Sequence, residues 1–222
     1  MIGKVFFDGK DTYQEYGLLL ANKTIALPEV RTNMIDVPGV DGLLDASEAL
    51  TGEPTYKNRT ITLTLVGVEK VSGKNWAAAI SDFSNAVHGK QVKVTFPEDT
   101  SHYYSGRCSV GSVALAKTKQ TLPVTIDCYP WKLKNEKTVV TRDDLGTAYK
   151  QLTLPNERRS VIPSITIAQD TTLLWNGTTI AASAGENLIF PAIRLAAGTN
   201  ILKAKVESGT GSITVTYQEA SL

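Results

Sequence analysis

The sequence predicts a mainly β chain built as two units, and three observations carry that prediction. Short runs of apolar–polar alternation recur along the chain, the clearest being Thr60-Ile61-Thr62-Leu63-Thr64-Leu65, with threonines on a wet face and Ile/Leu on a core face. Turn pairs punctuate the runs: Asp8-Gly9, Pro38-Gly39, Asp41-Gly42 and Asn176-Gly177. Helical period is convincing in one stretch only, at about 74–88.

The elements follow in order. Lys4-Val5-Phe6-Phe7 is a short strand running into the Asp8-Gly9 turn, and β-like character continues over 16–20 and 23–27 until Pro28 stops it. The stretch 33–65 organises the first unit. Its turn region is followed by 43–55, which reads as a surface arm or loop broken by Gly and Pro, and then by the Thr60 to Leu65 strand. In the helix, Trp76, Ala79, Ile80, Phe83 and Val87 form one apolar stripe, and Lys74, Asp82 and Asn85 lie opposite. Ser72 or Asn75 is its candidate cap and Gly89 its stop. That pattern suits a helix lying on a sheet. Strands resume at 91–96, as a short pair around Gly106 (103–104 and 107–113), and at 122–128, before Tyr129-Pro130-Trp131 closes the unit.

The charged stretch 132–137 is the expected boundary, giving units of 1–134 and 135–222. The second unit reads as β throughout. Strands are expected at Leu152/Leu154, 161–167, 188–190, 193–195, 202–206 and 212–217, with turns at 198–200 and 208–212. The Asn176-Gly177 pair between 173–175 and 178–180 is the signature of a two-residue hairpin. Regularly spaced short strands with turns between them point to a β-sandwich.

The totals exclude several classes. A chain of 222 residues buries roughly 70% of its unfolded surface and needs no staples. With 23 basic and 22 acidic residues, neither half is a basic nucleic-acid binder. No apolar run approaches the roughly 18 residues of a membrane span, and the first residues carry no signal pattern, so a cytoplasmic start is expected. The acceptor triplets at Asn22, Asn58 and Asn176 are then chance matches. Cys108 and Cys128 each fall in a strand. A bridge between neighbouring strands and two buried thiols are both open, and a reducing compartment favours the thiols.

A search for chemistry finds little. His88 sits at a helix end, where a cation suits the dipole, and His102 sits beside Ser101 in a loop, with no nucleophile elbow anywhere. The two Cys and two His lack metal-ligand spacing, and Asp36, Asp41, Asp45 and Glu48 do not match a calcium loop. No cofactor, metal site or catalytic residue is expected. For carbohydrate, Trp175 at the Asn-Gly turn is the one candidate stacking platform.

Taken together, Phe6-Phe7-Asp8-Gly9, Val37-Pro38-Gly39-Val40-Asp41-Gly42 with Leu44-Asp45, Tyr56-Lys57-Asn58-Arg59 entering the strand, Gly89-Lys90 after the helix and Tyr129-Pro130-Trp131 resemble the distal tail protein (Dit) family of long-tailed bacteriophages and prophages. Asn176-Gly177, Gly198-Thr199-Asn200 and the stretch 209–217 extend the resemblance into the second unit. The resemblance implies an N-terminal β-rich belt domain with one helix and a C-terminal galectin-like β-sandwich. It implies a hexameric ring at the virion tail tip, assembled in the bacterial host cytoplasm. The ring would join the tail tube protein to the tail-associated hub protein and to receptor-binding or baseplate proteins, with DNA passing through the lumen. A structural role, without enzymatic activity or membrane contact, is the expectation. The alternatives are a carbohydrate-binding module recognising cell-wall sugar through the second unit, a glycan hydrolase, and a tail-tube subunit.

Overall fold

Alternation over 59–67 makes an inner strand of a sheet, one in from its edge. The computed structural model describes residues 3–67, 75–115 and 120–222, and the chain divides into residues 1–132 with Leu222, and 133–221. The first unit runs β1 (Phe6–Phe7), β2 (Lys10–Asp11), α1 (Thr12–Tyr16), β3 (Leu18–Ile25), β4 (Met34–Asp36), β5 (Leu43–Asp45), β6 (Arg59–Gly67), α2 (Trp76–Val87), β7 (Gln91–Phe96), β8 (Asp99–Val110), β9 (Ala114–Leu115) and β10 (Gln120–Cys128). The main sheet has the order β2-β1-β7-β8-β10-β6-β3, with β9 on β10, and β4 pairs only with β5. Ile61, Leu63 and Leu65 of β6 pair with Ile126, Val124 and Leu122 of β10, and all six side chains are fully buried.

The helix α2 forms as its stripe demands. Ala79, Phe83 and Val87 are buried, Trp76 and Ile80 pack on the same core, and Phe83 meets Phe7 and Tyr16 edge to face at 5.3 and 5.5 Å. Asn75 caps it, its Oδ1 accepting from Ala78 N–H at 2.9 Å. The other candidate cap, Ser72, and Lys74 lie outside the described residues. The expectation of a single helix is corrected by α1, which replaces β structure at Tyr16. Asp11 caps it and Gly17, at φ 68°, ends it. Five residues are too few to print a helical period.

Gly106 does not interrupt a strand either, since β8 runs unbroken from Asp99 to Val110. A Cβ at 106 would lie 2.6 Å from Cys128 Cα, so glycine is needed for the close approach of β8 to β10. In that register Cys108 pairs with Ile126 and Cys128 with Gly106, which makes the two cysteines diagonal neighbours. Diagonal side chains stand roughly 7 Å apart, beyond disulfide reach. Both are free thiols, buried, and burial pushes each up to about 12.

The chain enters its second unit within β11 (Lys132–Lys134). There follow β12 (Thr138–Leu145), β13 (Lys150–Asn156), β14 (Ser164–Ile167), β15 (Thr171–Trp175), β16 (Thr178–Ala182), β17 (Gly185–Ile189), β18 (Gly198–Val206), β19 (Gly211–Tyr217) and β20 (Ala220–Ser221). Two four-stranded antiparallel sheets, β12-β19-β14-β17 and β13-β18-β15-β16, bury Ile165, Ile213 and Val215 against Leu154, Leu173 and Leu202 in one core. The Asn176-Gly177 turn of β15–β16 has φ 46° and 83°, as a type I′ turn requires. Three expectations change. Residues 208–212 do not close a hairpin, because β18 and β19 belong to different sheets. Residues 198–200 open β18 rather than turning before it, and 193–195 is a loop that buries Ile193 and Leu195 and is held by the Val161–Leu195 bridge. At the end of the unit, Glu219 is buried and takes Lys134 Nζ at 2.7 Å and the Thr138 hydroxyl.

Candidate assembly surface

The connection from β3 to β6 leaves the sheet as an arm. Its root is a short ladder: Lys57 N–H donates to Glu29 O and Arg31 N–H to Thr55 O, both at 2.8 Å, and Lys57 Nζ meets a Glu29 carboxylate oxygen at 3.0 Å. Tyr56 packs edge to face on Trp131 with ring centroids 5.2 Å apart. Below the root, Arg59 is buried with its guanidinium over the Tyr104 ring at 5.4 Å. Burial lowers its pKa, and Tyr104 opposes that shift.

Beyond the root the chain forms the β4–β5 hairpin, with Met34 opposite Asp45 and Asp36 opposite Leu43. The loop around Pro38-Gly39 and Asp41-Gly42 turns through positive φ at Gly39 and Gly42, 85° and 81°. Local bonds hold the shape. Asn33 N–H donates to Ser47 Oγ at 2.8 Å, Ala46 N–H to Asn33 O at 2.9 Å, and Ser47 N–H to Asp45 Oδ1 at 2.9 Å. Bonds from the Ser47 side chain and backbone keep the Asp45 carboxyl below its ordinary value.

Every residue of β4 and β5 is exposed. A hairpin in its own protein's core hides one face, and a lone two-stranded hairpin is marginal in water. Of the thirteen large hydrophobic residues exposed among the described residues, eight fall between Leu27 and Leu50, including Val40 at 63%, Leu43 at 61%, Leu44 at 58% and Leu50 at 101%. Such a concentration of apolar side chains on one projecting element is what an interaction surface looks like before it is covered. The sequence reading of 43–55 as a polar arm or loop missed both the hairpin and its apolar character. The available signal was Met34-Ile35 and Leu43-Leu44, apolar pairs side by side flanking the two turns.

The other candidates resolve into structure. His102 Nδ1 lies 3.0 Å from Asp99 Oδ1 and 2.9 Å from Ser101 Oγ, and Lys132 Nζ meets Asp99 Oδ2 at 2.9 Å. A hydrolytic triad needs carboxylate and serine on opposite ring nitrogens, whereas here both sit on Nδ1. Asp99 is partly buried, which would raise its pKa, but its bonds from Lys132, His102 and Ser101 win and hold it well below the usual range. His88 accepts Val110 N–H through Nδ1 at 3.0 Å, which ties the end of α2 to β8. Among the described residues no three His, Cys, Asp or Glu side chains gather as metal ligands. Asp36, Asp41, Asp45 and Glu48 all lie exposed on the arm. The expected exposure of Trp175 is also corrected. It is 5% exposed, inside the second core, and offers no open ring face for a sugar to stack on.

No family profile matches the sequence, and no curated protein matches it. Among solved structures, the crystal structure of the SPP1 Dit (gp 19.1) protein is similar over 100% of both chains, at a TM-score of 0.67 and 16% identity. That protein is described as a paradigm of the hub adsorption apparatus in phages infecting Gram-positive bacteria. The chain therefore has a β-rich fold like that of the Dit protein.

Proposed function

We propose that the chain is a Dit-type structural protein of a phage tail tip, whose first unit closes a hexameric ring between the tail tube and the hub and receptor-binding proteins. The carrying observation is the arm, with eight exposed apolar residues on an element that its own fold leaves uncovered. The full-length likeness to a hub protein supports the same reading. A head-to-tail contact that closes on itself makes a ring without leaving such surface in water. The arithmetic fits a contact larger than the arm. Covering eight such side chains contributes roughly 12 kcal/mol, at about 1.5 kcal/mol each, while association costs about 4–15 kcal/mol. The arm alone therefore roughly breaks even, and other parts of the first unit, its sheet edges among them, must add to it. The role requires no reaction, no cofactor and no membrane. The DNA of the particle would pass through the lumen, and a virion or a prophage product would serve equally.

Sugar recognition by the second unit has no such support, because its candidate platform, Trp175, is in the core. The test is mass in solution by native mass spectrometry. The intact protein should give about six times 24.0 kDa. A version with 33–55 replaced by a short Gly-Ser linker should fold and stay monomeric. An assembly that survives loss of the arm refutes the arm as interface, and a monomeric intact protein at high concentration refutes the ring.

A further inference from the structure

The two four-stranded sheets of the second unit have four edge strands, and an open edge invites another strand to pair with it. Three of the four are defended. β12 carries Arg142, Asp143 and Asp144, with a register shift between Arg142 and Leu145. β13 carries Lys150 and Pro155. β17 carries Glu186, and its pairing with β14 is broken by a register shift. The fourth, β16, has none of these devices. Its residues, Thr178-Thr179-Ile180-Ala181-Ala182, run in unbroken register with β15. From Gly177 to Gly185 the chain has no charged residue and no proline, and Ile180 is its only large side chain.

The hairpin register says which backbone groups are open. Trp175 and Thr178 flank the two-residue turn and exchange hydrogen bonds, and the exchange recurs at every second residue. Thr178, Ile180 and Ala182 therefore bond to β15. The N–H and C=O of Thr179 and Ala181 point away from the sheet, and among the described residues no backbone group from elsewhere in the chain bonds them. The side chains of Thr179 and Ala181 are exposed, while Ile180 is half-buried and packs on the core.

This edge is complementary to itself. When it is set antiparallel to a second β16 about a two-fold axis at Ile180, Thr179 lies opposite Ala181 of the second copy, and Ala181 opposite its Thr179. Each is a hydrogen-bonded pair, so four bonds form and every open group on both strands is used. Ile180 falls opposite its own counterpart in the close pair between them, where Cα atoms stand about 4.5 Å apart, and each covers the other's open flank. The small-small-Ile-small-small pattern reads the same in both directions, so no bulky side chains collide and no like charges meet.

We infer that β16 of one copy pairs with β16 of another, joining two four-stranded sheets into one of eight strands. The contact is two-fold, unlike the head-to-tail contact of a ring, and does not depend on it. A single strand pair buries far less than the roughly 1,600 Å² of a standard complex, so the contact is weak between free molecules and gains when copies are already held together.

The test is cross-linking in the full chain. Ile180→Cys and Thr179→Cys are each oxidised mildly at tens of micromolar and run on a non-reducing gel, the native cysteines being buried. The change at 180 should give a covalent dimer of twice 24.0 kDa, at least tenfold faster than the change at 179, where the two copies' residues are diagonal and roughly 7–8 Å apart. In the Ile180→Cys background, Thr179→Lys with Ala181→Lys sets lysine opposite lysine and should slow the link about tenfold. Thr179→Lys with Ala181→Glu sets opposite charges face to face and should restore it. Both positions are exposed, so the fold tolerates either pair. Equal rates at 179 and 180, or a link indifferent to the two lysines, overturns the pairing. So does the absence of a link at 180, which would leave the edge to an extended segment of a different protein. The ring is read separately: sixfold masses without the link leave the ring standing, and the link without sixfold masses leaves the strand pairing standing.

Discussion

Replacing Gly106 by alanine is the sharpest test of how the first unit is packed. Gly→Ala at ordinary φ normally stabilises by about 0.4–1 kcal/mol, because it restricts the unfolded chain. Here an ideal Cβ would lie 2.6 Å from Cys128 Cα and 2.8 Å from the Asp127 carbonyl carbon, and closer still to the Asp127 oxygen. All three are backbone atoms, so no rotamer change makes room, and β8 and β10 must part by about an ångström to restore ordinary contact near 3.5–4 Å. Overpacking in a core costs about 1–3 kcal/mol, occasionally more. A rigid wall puts this site near the top, at about 3 kcal/mol, which corresponds to roughly 6–12 °C in Tm for a chain of this length. Urea unfolding followed by tryptophan fluorescence separates the units, since Trp76 and Trp131 report on the first and Trp175 on the second. The first transition should move to lower urea and the second should not. Gly146→Ala is the control: no atom lies within 4 Å of its Cβ, and its change should stay within about 0.5 kcal/mol. A Gly106→Ala protein as stable as the control would refute the close approach of the strands.

Three further outcomes follow from the same geometry. Burial would raise the Glu219 pKa, but its bonds from Lys134 and Thr138 win and lower it. Its stabilisation is therefore present above the ordinary value of 4.5 and fades as pH falls through the lowered one, so Glu219→Gln should cost about 1–3 kcal/mol at pH 7 and progressively less in acid. Lys134 is over a third exposed, which keeps that figure below the cost of a fully buried pair. Cys108 and Cys128, buried with thiols pushed up to about 12, should resist a thiol reagent at pH 8 and react, both of them, in urea. Leu44→Ser on the arm should leave monomer stability within about 0.5 kcal/mol in unfolding titrations and weaken assembly, whereas Leu63→Ala in the core should cost about 2–5 kcal/mol.

The sequence is most readable where a segment is organised by its own core. Alternation from Thr60 to Leu65 and the stripe from Trp76 to Val87 show which face is inside because that inside belongs to the same chain. The Asn176-Gly177 turn is legible because two residues alone set its backbone. Gly106 misleads as a break because the reason for it is a backbone two strands of chain away, and α1 is too brief for periodicity. Residues 208–212 show a turn but not that the chain changes sheets there. The arm is the instructive miss. Leu43 and Leu44 follow no period because neither face of their hairpin meets this molecule's core. In the proposed ring, the surface that would explain them belongs to another copy. Trp175 misleads in the opposite sense: its place beside a turn suggests exposure, and the alternation of β15 turns it inward.

The central claim is that copies of this chain cover one another's arms, and electron microscopy of the purified protein at tens of micromolar tests it most directly. Closed rings with sixfold symmetry are the predicted result, with density from each subunit reaching onto the next. Solitary particles at every concentration, with 33–55 still open to proteases, would contradict it.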